Sequence, residues 1–491
     1  MKNFLMIISV YLLITPLYTK SQPVTFEKKY DFGYSEGAGD IVQTSDGGYL
    51  LVGGQSITFN YVNLLTMKTD SLGDMEWHKI TGSGGEWSQH RMVQINDSVY
   101  YTAGHSNVYT GNPAARDFLL VKMNGNGDTL WTRTYGGPQG EICNDFKSTS
   151  DGGFILAGYT ASFGTNVPAY FVKTDLNGDT LWTKFWSGPY GGANAFAIIE
   201  TFEGGFAITG VTLDSIGYAS MFLLKMNSSG QIQWYKLFEN SMPAGYFGYD
   251  LIQMPDSGFI IGGYRGKYHP STQLYMFDAN LMRVSSSGDS LWSYSYGGLM
   301  EEGINKIIKK DNNIYTVGPT YSFGNGHYDI LMMSVSEGGN HNWHRYIGGN
   351  DWDEGWNIKN TNDGGFSIVG RTDSDCFGCV YFIKTDSLGC VIPDCHLVGV
   401  EETDFVHDIF AVYPNPASDY FIIQINKEIS GDFKIDMYDV TGRKIALPAD
   451  EIPPGNYAMY VPADFFSPGI YFITITDKES QKVYSKKIVI Q

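Results

Sequence analysis

The chain has 491 residues, of which 17% are charged and 15% aromatic, with 59 Gly and a formal net charge of −19. The acidic balance disfavours nucleic acid as a partner, because phosphate recognition needs a basic face. Aromatic residues suit pleated surfaces and glycine suits turns, so the composition predicts an all-β protein. A chain of this length is too long to fold around one ordinary hydrophobic core unless it is built from structural repeats.

The N-terminus has the pattern of a secretory signal. Lys2 supplies the positive start, the stretch from Phe4 to Leu17 is mostly apolar, and Thr19-Lys-Ser21 suits cleavage. We therefore predict a signal peptide over residues 1–21, with an uncleaved anchor as the alternative. The apolar run is too short for a convincing span, and no other segment of the sequence predicts one.

The next four-fifths of the chain carry a repeat of about 50 residues, which indicates a repeat architecture. Each of six repeats ends in a tryptophan: Trp77, Trp131, Trp182, Trp234, Trp292 and Trp343. The units resemble the propeller repeats that carry a tryptophan-docking motif, in which Asp-x-x-Gly precedes the Trp, as in Asp175-Leu-Asn-Gly-Asp-Thr-Leu-Trp182. The resemblance implies that these tryptophans stack between blades.

Each repeat also contains two hairpin signals, which predict four short strands. The first hairpin turn starts at Asp46, Asp97, Asp151, Glu203, Asp256, Asp311 and Asp363. The second starts at Asp70, Asn124, Asp175, Asn227, Ser285, Ser336 and Asp386. Seven units of four strands predict a seven-bladed β-propeller over residues 22–395.

The seventh repeat lacks a tryptophan and breaks off after Gly389. The segment from Thr25 to Gly33 matches the stretch that follows each tryptophan, so it is a spare strand of the missing type. An unclosed ring would expose a free strand edge. We therefore predict that this first segment completes the last blade.

After an acidic linker over 396–410, residues 411–491 predict a small C-terminal β-sandwich. Four blocks occur there in order: Tyr413-Pro414-Asn415-Pro416, Asp439-Val-Thr-Gly442-Arg-Lys444, Pro468-Gly469-Ile-Tyr471 and Lys486-Lys487. This tail resembles the type A sorting domain of the type IX secretion system of the Bacteroidota. The resemblance implies that the secretion machinery is a partner and that the protein is secreted or displayed on the cell surface. The alternative is an ordinary accessory sandwich that binds sugar.

Five cysteines in an exported chain suggest disulfides. Cys390 and Cys395 flank a short turn, while Cys376 and Cys379 could pair with each other or with the first two. A metal site at Cys376 and Cys379 is the alternative and would need two more ligands. Cys143 is left over.

We expect a ligand on the face that carries the long and dissimilar loops, because function usually resides on loops held by a rigid scaffold. The candidate ligand-binding residues there are Trp87, His90, Glu301, Glu302, Asp351, Trp352, Asp353, Glu354 and Trp356. Tryptophans beside carboxylates suit a carbohydrate or a Ca²⁺-assisted contact. The alternative is that these tryptophans pack between blades.

Polar residues also recur six positions before each first turn, at Asp40, Arg91, Asp145, Ala197, Asp250, Asn305 and Asn357. They predict either a ring of oxygen ligands at the channel mouth or side chains that cap N–H groups of the linking loop, and recurrence with the fold favours capping. The acidic run from Asp175 to Asp179 lacks the length of a calcium loop and fits a hairpin turn.

The sequence contains no His-Glu-x-x-His or phosphate-loop motif. We therefore predict a binding protein for a glycan or a surface protein, without a cofactor. The alternatives are a carbohydrate-active enzyme that uses Asp351, Asp353, Glu354, Glu301 or Glu302, since a glycosidase needs only two carboxylates, and a structural or adhesion component.

Overall fold

The structure is a computed structural model. It describes residues 23–58, 61–82, 87–107, 116–239, 243–269, 274–298, 300–324, 327–392, 395, 410–413, 417, 420–425, 433–440, 442–447, 458–477 and 483–490. The predicted signal peptide and almost all of the predicted linker lie outside these ranges.

The described chain is almost entirely β, as the composition predicts, and residues 26–385 form seven four-stranded antiparallel sheets. The first strand is β1 (Phe26–Tyr30). Sheet 1 contains β2 (Ser35–Gln43), β3 (Tyr49–Thr58), β4 (Tyr61–Thr69) and β5 (Met75–Thr81). Sheet 2 contains β6 (Trp87–Asn96), β7 (Val99–Ser106), β8 (Asp117–Asn124) and β9 (Thr129–Tyr135). Sheet 3 contains β10 (Glu141–Ser148), β11 (Phe154–Thr160), β12 (Ala169–Thr174) and β13 (Thr180–Trp186).

The remaining sheets follow the same hairpin order. Sheet 4 contains β14 (Ala193–Glu200), β15 (Phe206–Leu213), β16 (Ala219–Met226) and β17 (Ile232–Phe238). Sheet 5 contains β18 (Tyr246–Gln253), β19 (Phe259–His269), β20 (Leu274–Val284) and β21 (Ser290–Tyr296). Sheet 6 contains β22 (Lys306–Lys310), β23 (Asn313–Thr320), β24 (Asp329–Ser336) and β25 (His341–Ile347). Sheet 7 contains β26 (Asp353–Asn360), β27 (Phe366–Thr372), β28 (Cys379–Thr385) and β1.

Consecutive sheets pack face to face in a propeller-like ring. The first strand of each sheet, called here the inner strand, contacts the sheet before it, and β2 contacts β26, β27 and β28. The buried cores lie between neighbours; one joins Ala157 of sheet 3 to Ile208 of sheet 4, and another joins Ala38 of sheet 1 to Val380 of sheet 7. Sheet 7 therefore packs against sheet 1, and the seven sheets form a closed ring.

The ring closes through the first strand of the chain. β1 pairs antiparallel with β28, with Phe26 opposite Lys384 and Tyr30 opposite Val380. This pairing confirms the prediction that the segment from Thr25 to Gly33 completes the last sheet.

The recurring tryptophans lie against the glycine of the Asp-x-x-Gly turn in the next sheet. Gly178 has a φ of +80°, and a Cβ on it would lie 2.9 Å from the Trp131 ring. The same pairs recur as Trp77 with Gly127, Trp182 with Gly230, Trp234 with Gly288, Trp292 with Gly339 and Trp343 with Gly389. Glycine is required at this position for two reasons: its φ lies in the left-handed region, and the indole leaves no room for a side chain.

The C-terminal part forms two smaller sheets around one core. Its elements are β29 (Phe410–Tyr413), β30 (Tyr420–Ile425), β31 (Phe433–Asp439), β32 (Lys444–Ile445), β33 (Ala458–Pro462), a 3-10 helix (Ala463–Phe465), β34 (Gly469–Asp477) and β35 (Val483–Ile490). The sheet orders are β29-β30-β33 and β32-β31-β34-β35. Phe421 of the first sheet and Ile473 of the second are both fully buried in the shared core.

The structure pairs Cys376 with Cys379 and Cys390 with Cys395 in disulfides. Cys143 is a free, buried thiol. Among the described residues, no group of three or more His, Cys, Asp or Glu could hold a metal ion.

Candidate functional site

The ring has two unlike faces. One face, called here the hairpin face, carries the turns between strands one and two and between strands three and four of each sheet. The other, the loop face, carries the remaining loops and the links between sheets. Because antiparallel strands alternate in direction, this division follows from the hairpin order. The loops in which the sequence predicts a ligand all belong to the loop face.

A ring of charged side chains lies inside the inner strands. Lys147 Nζ donates to Asp145 Oδ1 at 2.6 Å, and Lys306 Nζ donates to Asp250 Oδ1 at 2.8 Å. Burial raises the pKa of Asp145, but Lys147, Lys306 and Arg91 outweigh it, so that the pKa falls to about 2. This buried network holds charges from different sheets together.

The acids of this ring also bind backbone. Asp145 accepts from the N–H of Ile198 at 3.0 Å, and Asp250 accepts from the N–H of Ile307 at 2.9 Å. These donors belong to the inner strand of the next sheet. The interpretation as capping side chains therefore needs one correction, because the sequence predicts donors in the linking loop.

The register of sheet 6 corrects one member of the predicted ring. Lys306, rather than Asn305, lies opposite Val317, as Asp145 lies opposite Ala157 in sheet 3. Asn305 lies one position earlier, at the mouth of the channel on the loop face.

Six inner strands have an irregular register at this mouth: β6 between Ser88 and Arg91, and five others that each carry a β-bulge with one extra residue. The register shifts between Ala38 and Asp40, Cys143 and Asp145, Ala195 and Ala197, Gly248 and Asp250, and Gly355 and Asn357. The extra residues are Gly39, Asn144, Phe196, Tyr249 and Trp356. A bulge redirects a side chain out of the pleat. This local irregularity therefore places Phe196, Tyr249 and Trp356 at the rim.

The rim side chains form a continuous row across sheets 4 to 7. Phe196 stacks on Tyr249 with ring centroids 4.6 Å apart, and Tyr249 packs on Tyr264 at 4.7 Å. The Tyr264 hydroxyl donates to Asn305 Oδ1 at 2.7 Å, and Asn305 Nδ2 donates to the carbonyl of Gly355 at 2.9 Å. The row ends beside Trp356.

Two carboxylates face this row, each fixed by an aromatic donor. The Tyr328 hydroxyl donates to Glu301 Oε2 at 2.7 Å, and Trp356 Nε1 donates to Glu354 Oε2 at 2.8 Å. Burial raises the pKa of the Tyr264 hydroxyl well above its usual range, and Tyr249, Glu354, Tyr328 and Glu301 add to the effect. The negative charge of both carboxylates therefore acts on the same phenol.

Trp352 completes the group on the solvent side. Its ring packs against Tyr328 with centroids 4.6 Å apart, and the residue is 43% exposed. We call Tyr264, Glu301, Tyr328, Trp352, Glu354 and Trp356 the rim cluster. It combines an exposed aromatic surface with oriented hydrogen-bond acceptors, which is what recognition of a partly apolar, hydroxyl-rich ligand requires.

Two of the predicted ligand-binding acids do not belong to this cluster. Glu302 is fully buried and accepts hydrogen bonds from the Gly298 N–H and the Thr320 hydroxyl. Asp353 is also fully buried and accepts from the Gly349 N–H. Both fasten the links between sheets, so the prediction that they contact a ligand is corrected. Their side chains point inward because extended residues alternate sides, which leaves Glu301 and Glu354 outward.

The other predicted residues divide as follows. Asp351 is exposed next to Trp352, and its N–H donates to the Ser374 hydroxyl at 3.0 Å. Trp87 and His90 open β6, and their side chains lie outside the described residues. Tyr249, Tyr264 and Tyr328 were not predicted as site residues from the sequence. Tyr249 could have been found as the residue before Asp250, whereas Tyr264 comes from a second strand and had no signal.

The hairpin face carries a shallow cavity of about 400 Å³ near the opposite mouth, lined by Gln43, Asn362 and Asp97 among others. Its polar groups already bind one another. Gln43 Oε1 accepts from the Asn362 N–H at 2.9 Å, and Asp97 Oδ1 accepts from the Ser45 N–H at 3.2 Å. The rim cluster is therefore the better candidate.

The residues of the sorting motif lie partly outside the described ranges. Pro414, Asn415 and Pro416 are not described, and Tyr413 is described only as the end of β29. Further along, Gly442 has a φ of +80°, Gly469 opens β34, the Tyr471 hydroxyl donates to the Ser467 carbonyl, and Lys486 and Lys487 lie in β35 opposite Ile473 and Phe472.

Residues 411–491 match the secretion system C-terminal sorting domain family. This domain marks proteins that the type IX secretion system exports, so the protein is delivered to the cell surface or secreted. A search of curated proteins finds no match to the chain. No helix in the described part of the chain is long and apolar enough to span a membrane.

Several solved structures are similar at low identity. PorZ, a surface component of the type IX secretion system of Porphyromonas gingivalis, is 13% identical with a TM-score of 0.30, over 91% of this chain and 68% of PorZ. The β-propeller domain of the Trilobed protease from Pyrococcus furiosus is 6% identical with a TM-score of 0.42, over 73% and 97%. A family PL25 ulvan lyase is 9% identical with a TM-score of 0.43, over 76% and 99%. With TM-scores below 0.5, these likenesses carry no argument on function.

Proposed function

We propose that this protein is a glycan-binding protein of the cell surface or the secreted fraction, built as a seven-bladed β-propeller with a C-terminal β-sandwich. In this proposal residues 1–21 are the signal peptide, 22–395 the propeller, 396–410 the linker and 411–491 the sandwich that the secretion machinery handles. The seven sheets in closed order and the match over 411–491 support this division.

The observation that carries the binding function is the geometry of the rim cluster. Trp352 offers an exposed ring that a sugar can stack on, and its neighbour Tyr328 is held by Glu301 at 2.7 Å. Carboxylates that are already oriented can accept hydrogen bonds from sugar hydroxyls with little ordering cost. Aromatic stacking beside fixed acceptors therefore supports a carbohydrate rather than a flat protein surface.

The test is a glycan-array screen of the mature chain, residues 22–491, with and without Ca²⁺. We expect binding that the Trp352→Ala variant loses, because this exposed ring is absent from the folding core. Phe202→Ala is the matched control, since Phe202 is 69% exposed on the hairpin face. Equal binding by the wild type and Trp352→Ala would reject the rim cluster as the site.

The second candidate function is a carbohydrate-active enzyme, which the placement of Glu301 and Glu354 around Tyr264 favours. Two carboxyl groups on either side of a glycosidic bond are sufficient for hydrolysis. The same experiment decides between them when every bound glycan is incubated with the protein and inspected for shorter products. Product formation that Glu301→Gln and Glu354→Gln both abolish would move the assignment from binding to catalysis.

A further inference from the structure

The rim cluster is one end of a longer aromatic surface. We propose that its ligand is an extended, uncharged polysaccharide chain, which runs over the loop face from sheet 6 across Phe377 of sheet 7 to Tyr34 at the start of sheet 1. This inference rests on the proposed glycan-binding function and adds the length and charge of the ligand.

The first part of the surface is a row of three rings in tilted contact. Tyr321, which is 36% exposed, packs on Tyr328 with centroids 5.0 Å apart, and Tyr328 packs on Trp352 at 4.6 Å. The Tyr321 N–H donates to the carbonyl of Glu301 at 2.8 Å, which fixes this loop to the link that carries the carboxylate. The three rings and the Glu301 carboxylate are therefore held in fixed positions relative to one another.

The second part connects Trp352 to the loop that follows β27. The Asp373 N–H donates to the Trp352 carbonyl at 2.7 Å. This loop carries the Cys376–Cys379 disulfide, with Phe377 between the two cysteines. Phe377 is 78% exposed, the highest exposed fraction among the large apolar residues that the structure describes. A large apolar side chain displayed on a cross-linked loop is well suited to contact a ligand, since the loop backbone has little conformational entropy left to lose on binding.

The third part reaches sheet 1. The Glu36 N–H donates to the Gly378 carbonyl at 2.5 Å, so the tip that carries Phe377 lies against the start of β2. Tyr34, two residues earlier, is 48% exposed. We call Tyr321, Trp352, Phe377 and Tyr34 the aromatic arc. Hydrogen bonds and ring contacts connect every step of it, across three consecutive sheets.

The aromatic arc differs from the hairpin face in the apolar residues that it exposes. Turns of the hairpin face expose mostly aliphatic residues, such as Leu72, Leu176 and Leu388. The arc exposes only aromatic ones. Flat rings stack on the C–H faces of pyranose units, whereas branched aliphatic tips do not offer a flat surface. Several rings in a row suit a chain of sugars better than a single one.

The charges along the arc exclude an acidic polymer. Lys29 Nζ binds Asp375 at 2.9 Å and Arg371 binds Asp373 at 2.9 Å, so each of these two cations is neutralised by its own partner. His327, whose ring packs on Tyr321 and on Trp352, is a third basic side chain along the arc. Asp351 is exposed and adds negative charge, as do the two carboxylates of the rim cluster. A uronic-acid or sulfated chain would meet like charge here. The arc therefore selects neutral chains.

The experiment measures binding by the mature chain to soluble neutral polysaccharides, namely a β-1,4-glucan derivative, a xylan and a mannan, and to trisaccharides of the same sugars. A polyuronate and a sulfated galactan serve as anionic probes. We expect Phe377→Ala to weaken binding of the neutral polymer by about fivefold. The trisaccharide affinity should stay unchanged, because a short ligand occupies the rim cluster alone.

The controls separate the two proposals. Phe202→Ala should change no affinity, and all variants should melt at the wild-type temperature because the substituted rings are exposed. Loss of binding in Trp352→Ala, with full polymer affinity in Phe377→Ala, would overturn the extended site and leave the proposed function intact. Unchanged binding in Trp352→Ala would overturn the rim cluster as the site, and the absence of any glycan binding by the wild type would overturn the proposed function itself. Equal affinity for anionic and neutral polymers would overturn the inference on charge.

Discussion

The phenyl ring of Phe26 fills the space beside Gly73, where a Cβ would lie 2.6 Å from the ring. In the other sheets the glycine at this position faces the tryptophan of the preceding sheet. Phe26 therefore takes the place of the tryptophan that the seventh repeat lacks, and it does so from the other end of the chain.

Replacing Phe26 should destabilise the ring. Phe26 packs on Phe382 at 4.9 Å between sheets 7 and 1, so Phe26→Ala should cost about 2 to 4 kcal/mol of unfolding free energy. Urea denaturation measures this change. Lys28→Ala on the same strand is the control, since its partner Asp74 is exposed, and it should cost less than about 1 kcal/mol. An unchanged melting temperature after deletion of residues 22–34 would contradict the closing role of β1.

A pair of carboxyl groups between sheets 2 and 3 should make stability fall as the pH rises. Burial and the neighbouring Glu141 raise the pKa of Asp117 to about 6. A raised pKa of an acid contributes stability that is present below its usual pKa near 4 and is lost as the pH rises through 6. Asp117→Asn should therefore stabilise the protein at pH 8, by about 1 to 2 kcal/mol after solvent screening, and change little at pH 4.

Thermal melts of the wild type and Asp117→Asn across this pH range measure the effect. Asp179→Asn is the control, because that carboxylate is exposed in a turn. A constant difference between wild type and Asp117→Asn at all pH values would contradict the raised pKa of Asp117.

A second acid should act in the opposite sense. Asp151 lies 2.9 Å from the buried Lys173 and also accepts from Thr149. Burial raises the pKa of Asp151, but the bonds from Thr149, Lys173 and the Gly153 N–H outweigh it and lower the pKa to about 2. Its contribution is present above pH 4 and is lost as the pH falls towards 2. Asp151→Asn should lower stability by about 1 kcal/mol at pH 7 and by almost nothing near pH 2, which denaturant titrations at both pH values would measure.

The thiol of Cys143 should be unreactive in the native protein. Burial, followed by the neighbouring Asp145, raises the pKa of this thiol far above its usual value. A thiol reagent should label no cysteine in buffer and one per chain in denaturant, because the other four cysteines are paired. Labelling of three or more sites in denaturant without a reductant would contradict the disulfides.

Removal of residues 412–491 should prevent delivery to the surface. The sorting domain is the part that the secretion system handles, while the seven sheets do not depend on it for any strand. We expect the shortened protein to accumulate inside the outer membrane in folded form, as fractionation and limited proteolysis would reveal. Surface exposure of the shortened protein would contradict the role of the tail.

Much of the ring could be predicted from the sequence, because its signals are local. A turn glycine followed by a tryptophan at a fixed sequence spacing, such as Gly178 and Trp182, can be recognised in a single sequence. The error at Asn305 has a local cause as well. In the hairpin of β22 and β23, Lys309 and Ile314 leave four residues between them, whereas the equivalent pair in sheet 3, Ser148 and Phe154, leaves five. Counting back from the turn therefore missed by one.

The candidate site was harder to predict, because it depends on which side of a strand a residue occupies. Glu301 and Glu302 are adjacent and chemically almost identical, yet one binds Tyr328 and the other is buried in the link. The two residues differ only in the side of the extended chain on which their side chains lie. Tyr264 comes from a different strand and reaches the site because Gly303 leaves it room, a contact between distant parts of the chain that no local pattern reports.

The pairing of Phe26 with Lys384 means that the ring does not require its chain termini to lie in sheet 7. Because the first and last strands of the seven sheets are hydrogen-bonded neighbours, a short peptide could join them and new termini could be opened in another link between sheets. Such a circular permutant, opened for example between β13 and β14, would keep every sheet as four consecutive strands. β1 is thus separated from the rest of sheet 7 only because the chain begins at this point of the ring. The links between sheets on the loop face could likewise each carry an inserted domain.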